Sequence, residues 1–169
     1  MSELRLGQAD ELTLALFARR ILRGSSAEDA SSWAVAELRL GRETEGVLIV
    51  AGLGRNAAPW EVDRYLSQAL EELGLDPPSR EEALNWLAAD LAARILSLGV
   101  APAEVIYPYV QDIAHLCISL GYPDQLLAMY SLEDDYGIFD ITGESAASWA
   151  ADVREEARRL TRAGAIRQE

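Results

Sequence analysis

The sequence predicts an all-α protein, a compact bundle of seven to eight short helices that also reads as two packed helical-hairpin units. Three observations predict it. Gly24, Gly41, Gly74, Gly99, Gly121 and Gly164 each follow a segment of helical character, the position where a left-handed residue ends a helix. Pro59, Pro102 and Pro123 stand where a first helical turn begins. Between these marks, apolar residues recur at intervals of three and four rather than two. With 169 residues, half of them hydrophobic and a quarter charged, the chain can bury a core. A single domain over 1–169 is expected, with a subdomain break near 75–79 as the place where it would divide.

Taken in order, the first helix is expected over 10–23, ending at Gly24. The second, over 27–40, starts after Ser26, which with Asp29 forms a weak capping box. The third, over 43–53, holds the apolar run Val47-Leu48-Ile49-Val50. A fourth over 59–73 carries the stripe Val62, Leu66, Ala69, Leu70 and Leu73. A fifth over 80–98 is opened by Ser79 with Glu82, a capping box, and carries Leu84, Leu87, Leu91, Ile95 and Leu98. A sixth over 102–120 buries Ile106, Ile113, Leu116, Cys117 and Leu120; Pro108 should kink it or split off its first turn. A seventh is expected over 123–134, and an eighth over 144–163 with the stripe Trp149, Val153, Ala157 and Leu160. The stretch from Tyr136 to Gly143 reads as an ordered loop or short extended piece. The triplet Arg20-Ile21-Leu22 before Gly24 echoes Arg94-Ile95-Leu96 before Gly99, without the fixed period of a solenoid.

Charge narrows the function classes. The net charge is −13, and the chain lacks the Lys and Arg excess that neutralises phosphates, so neither nucleic acid nor an anionic membrane is an expected partner. One cysteine, Cys117, allows no intramolecular disulfide and no cysteine-based zinc site. No signal peptide and no apolar run long enough for a transmembrane helix is read, so the expected setting is cytoplasmic.

No motif names a reaction. Gly52-Leu53-Gly54-Arg55-Asn56-Ala57 after an apolar run looks like G-x-G-x-x-A, which suits a pyrophosphate at a helix N-terminus. Pro59, however, starts the next helix after the glycines, and no second strand follows, so a short buried helix ending at a glycine turn is the better account. Asp112 and His115 share a helix at i, i+3, but a two-metal bundle site needs further pairs and this chain has one histidine. Cys117 lies on the apolar stripe and His115 points elsewhere, so a nucleophilic pair is not formed. The four tryptophans read as core anchors, Trp60 being the one placed for exposure. The expectation is a non-enzyme without cofactor or metal.

What stands out is a one-sided charge field. Between Arg94 and Arg154 there is no cation, yet there are nine acids and five of the six tyrosines. Glu133-Asp134-Asp135 ends the seventh expected helix, where negative charge opposes the macrodipole by about 0.3–1 kcal/mol per exposed charge, with no local compensation in the sequence. The expected partner-binding residues are Glu104, Tyr107, Asp112, Glu133, Asp134, Asp135, Tyr136 and Asp140. Acids of this kind steer a basic protein, and tyrosines serve as anchors that lose little entropy on binding. In charge, size and helicity the chain is similar to small acidic helical immunity proteins and inhibitors that occlude a basic toxin or nuclease, a likeness of character and not of residues. The expected function is therefore an acidic protein-binding module that occludes or scaffolds a basic partner. The alternatives are a homo-oligomeric structural or adaptor protein and a small-molecule-binding helical domain. The Arg-rich end of the chain, with Glu155 and Glu156 spaced to pair with Arg158, Arg159 and Arg162, reads as ordinary helix stabilisation.

Overall fold

Local capping chemistry sets where the helices begin in the computed structural model, which describes residues 10–138 and 143–166. Eight helices occur among these residues: α1 (Glu11–Arg23), α2 (Ala27–Arg39), α3 (Glu45–Ala51), α4 (Pro59–Leu73), α5 (Arg80–Ser97), α6 (Ala103–Ser119), α7 (Asp124–Ile138) and α8 (Gly143–Ile166). No strand occurs among the described residues, and the fold is all-α. The carboxylate of Asp10 accepts from the Thr13 N–H at 2.9 Å, and the hydroxyls of Ser26 and Thr44 do the same for α2 and α3 at 3.3 Å. Ser79 and Glu82 cap each other reciprocally at the head of α5, at 2.8 and 3.1 Å. Each satisfies a backbone donor that the first helical turn leaves free. Ala58 has no side-chain acceptor; there Pro59 opens α4 and the Glu61 carboxylate reaches back to the Ala58 N–H at 2.9 Å.

The chain divides into two compact units, Met1–Ala83 and Leu84–Glu169. In the first, α3 packs between α2 and α4. Its core is Leu16, Trp33, Val47, Val50, Val62, Leu66 and Leu70, which takes in the stripe of α4 and the apolar run of α3 read from the sequence. Gly46 is required at the crossing of α3 and α4: a Cβ there would lie 2.7 Å from the Ala69 backbone. The gap is so small that α4 reaches α3 directly, and the Glu72 carboxylate accepts from the Gly46 N–H at 2.7 Å. The run Val47–Val50 is helical, as expected for a buried helix ahead of a glycine turn.

In the second unit α6 and α7 form the closest pair, and α8 packs on both. Ile106, Ile113, Leu116, Leu126, Met129, Trp149, Val153 and Leu160 are buried there. The turn between α6 and α7 places Gly121 and Tyr122 at φ 76° and 60°, and the Tyr122 N–H closes the end of α6 on the Cys117 carbonyl at 2.8 Å.

Two expectations about element ends are corrected, and one is narrowed. The third helix is shorter than 43–53, because Thr44 is its cap and the glycines end it. Of the two outcomes expected at Pro108, a kink or a detached first turn, the second does not occur: α6 is continuous from Ala103 to Ser119. The carbonyl deprived of its N–H partner belongs to Glu104, an exposed first-turn residue where water can substitute. Finally, α7 runs on to Ile138, so Tyr136 is helical and does not open an irregular segment.

Candidate partner-binding face

The helical run of α7 distributes its three consecutive acids around the axis. Successive residues are turned by about 100°, so Glu133, Asp134 and Asp135 cannot share one direction. Glu133 turns toward α6, where its Oε1 accepts from the Tyr107 hydroxyl at 2.9 Å. Asp134 and Asp135 are exposed on the outer side, together with Asp124, Leu127, Ala128 and Ser131. These exposed positions recur at the i, i+3, i+4, i+7 spacing of one helix face.

Tyr107 and Tyr136 are half-buried and meet each other. Their rings stack with centroids 4.2 Å apart and planes 23° from parallel. Tyr136 also lies 4.7 Å from the ring of Trp149 on α8, tilted by 46°. Trp149 is buried, and its indole N–H donates to the Leu132 carbonyl at 2.7 Å. Three rings and two hydrogen bonds therefore hold the last turns of α7 against α6 and α8. This tertiary support explains why acids sit at a helix end that the macrodipole disfavours: Glu133 has a partner, and the helix is fastened by its neighbours. The hydrogen bond to Glu133, then burial, raise the Tyr107 phenol above its ordinary value. The Tyr130 phenol is raised mainly by the negative field of Asp134. Tyr130 meets Tyr122 edge to face at 5.5 Å, and Tyr122 is half exposed in the turn.

Of the eight sequence-predicted residues, the structure thus brings together Tyr107, Glu133 and Tyr136. It leaves Asp134 and Asp135 on the outer side of α7 and Glu104 and Asp112 exposed on α6. Asp140 lies outside the described residues. Sequence reasoning missed Asp124 and Leu127, although their spacing to Ser131, Asp134 and Asp135 is that of a helix face. It also missed Trp149 as the support of Tyr136.

No family model, curated protein or solved structure matches this chain. The site therefore rests on its own geometry. The cations nearest in sequence are engaged within the unit. Arg154 donates to the Gly99 and Ala101 carbonyls at 2.8 and 2.9 Å, bracing the α5–α6 connection from α8. That role was not read from the sequence, which offered helix-surface pairing alone. Arg159 bonds the Gln125 carbonyl and Glu156, and Arg158 pairs with Glu155 at 2.8 Å. None of these guanidiniums forms an ion pair with Asp124, Asp134 or Asp135 among the described contacts.

Catalytic arrangements are not assembled at the other singled-out residues. Cys117 is fully buried, and burial pushes its thiol up, away from the thiolate a nucleophile requires. Asp112 and His115 are both exposed on α6, and no group of three or more metal-ligating side chains occurs among the described residues. Among those residues, no helix is long and apolar enough to cross a membrane.

Proposed function

We propose that this chain is a non-enzymatic binding module whose α6–α7 region takes a basic protein partner, in the manner of an acidic immunity protein or inhibitor. The observation that carries the reading is the outer face of α7, where Asp124, Asp134 and Asp135 flank the exposed Leu127, within a stretch from 95 to 153 that contains no cation. Exposed carboxylates without internal cations keep their field for an incoming surface, raising the rate of encounter. Glu104 and Asp112 extend that field along α6. Tyr107, Tyr136 and Trp149 act from behind, holding α7 rigid so that little order has to be gained on binding. Leu127 on α7 and Tyr122 in the turn offer the exposed apolar area. The setting we infer for this binding is the cytoplasm, in keeping with one buried thiol and no disulfide.

The experiment is capture from the native host at low salt on the tagged full chain, eluted along a salt gradient and read by mass spectrometry. A basic protein leaving as salt rises supports the reading. Recovery of the chain alone, persisting at high salt, overturns it in favour of self-association, for which the exposed Trp60 at 63 % is the first place to look.

A further inference from the structure

The first unit holds a partly buried ionic cluster that the binding reading does not use. At the end of α2 the chain turns through Gly41 at φ 77°, and the Arg42 N–H closes on the Glu37 carbonyl at 3.0 Å. This turn brings the Arg42 side chain back over α2. Its Nη1 donates to the Glu37 carboxylate at 3.0 Å and also to the carboxylate of Asp10, the cap of α1. One guanidinium nitrogen thus bridges two acids from two helices.

The two acids are not equivalent. Asp10 is partly exposed and also accepts from the Thr13 N–H. Glu37 is 0 % exposed, and its Oε1 has no hydrogen-bond partner among the described residues. A carboxylate shielded from water with one oxygen unbonded is costly when ionised, and the second anion shares the one cation it has among the described residues. With no accessible surface at Glu37, a proton is the ligand that can reach this oxygen without opening the fold.

We propose that Asp10, Arg42 and Glu37 form a proton-operated latch: on mild acidification Glu37 takes up a proton, and Arg42 passes wholly to Asp10, fastening the head of α1 to the end of α2. The charged groups acting on Glu37 are Asp10 from the start of α1 and Arg42 from the turn after α2. On the surrounding elements, Glu11 of α1, Arg39 of α2, Glu43 and Glu45 are exposed. From α4, Asp63 is bound to Arg20 and Ser25, and Glu72 to Gly46 and Gln68. Burial first, then the charge of Asp10, raise the Glu37 carboxyl against the pull of Arg42. For Asp10, burial works upward but is overcome by the Thr13 N–H and Arg42, which hold it low. A raised carboxyl binds more protons in the folded than in the unfolded chain, so Glu37 adds stability as pH falls through its raised value. The contribution of Asp10 has the opposite sign and is lost as pH falls through its lowered value. Stability of this unit should therefore rise on mild acidification before it falls.

The test is a carbon-13 carboxyl titration of the full chain by NMR. Glu37 should titrate above the ordinary glutamate value of about 4.3, and Asp10 below the ordinary aspartate value of about 3.9. A Glu37 midpoint at or below 4.3 would overturn the latch. In a second measurement, E37Q should melt higher than the wild type at neutral pH, with the gap closing toward acid. An E37Q curve parallel to the wild type, or lying below it at neutral pH, contradicts the proposal; should E37Q not fold, the wild-type titration alone decides.

Discussion

The Tyr107 hydroxyl donates to Glu133 at 2.9 Å, joining α6 to α7 across 26 positions of sequence. This one bond divides a run of three adjacent acids into an inward residue that fastens the helix and two outward residues that remain available. Tyr107→Phe keeps the ring stacked on Tyr136 and removes the bond alone. We expect a loss of about 1 kcal/mol in urea unfolding and unchanged capture of a basic partner, because the outward acids are untouched. Lost capture with an intact fold would show that Tyr107 touches the partner.

Removing the ring beneath α7 should have a different signature. Tyr136→Ala deletes the contacts at 4.2 Å to Tyr107 and 4.7 Å to Trp149. The last turns of α7, which carry acids where the macrodipole opposes them, then keep the Tyr107–Glu133 and Trp149–Leu132 bonds but lose their ring contacts at Tyr136. Amide hydrogen exchange should quicken in residues 132–138 while the first unit is unaffected. Unchanged protection there would mean that the aromatic stack does not hold the helix end.

The crossing of α3 and α4 predicts a sharp intolerance at Gly46. Gly46→Ala forces a Cβ to within 2.7 Å of the Ala69 backbone and displaces the Glu72 cap. Overpacking of this kind costs about 1–3 kcal/mol. Thermal unfolding followed by circular dichroism checks it, and the same substitution at Gly54, where nothing lies within 4 Å, serves as the mild comparison.

The caps predict the acid limb of stability. Ser79 holds the Glu82 carboxyl below its ordinary value through its hydroxyl and N–H, and Gln68 and the Gly46 N–H do so for Glu72. A lowered carboxyl contributes stability above its unfolded value, and that contribution is lost as pH falls through the lowered folded value. Glu82→Gln should therefore flatten the fall in melting temperature below the ordinary glutamate range, and an unaltered acid limb would exclude the cap as its source.

Much of the fold was legible because its signals are local. Ser26 and Ser79 cap helices through atoms three residues away, and the stripes of α4 and α6 lie where the 3.6-residue period puts them. The end of α7 was not legible, because it is decided by Tyr107 and Trp149 from other helices. The candidate face was legible as a charge field but not as a surface. Only the phase of α7 tells Glu133 from Asp134, and which of them faces inward is set by Tyr107 of α6, 26 positions away. The reach of Arg154 to the Gly99 carbonyl spans 55 positions and has no sequence signature.

The most direct test of the central claim is the rate of partner association at low salt for wild type against the double variant D134K/D135K, with folding checked by circular dichroism. The outward acids of α7 should account for steering, so the reversal is expected to slow association by about tenfold or more and to remove most of its salt dependence. An association rate and salt dependence unchanged by the reversal would contradict the account, because the only two acids of the run that point away from the protein would then have no part in binding.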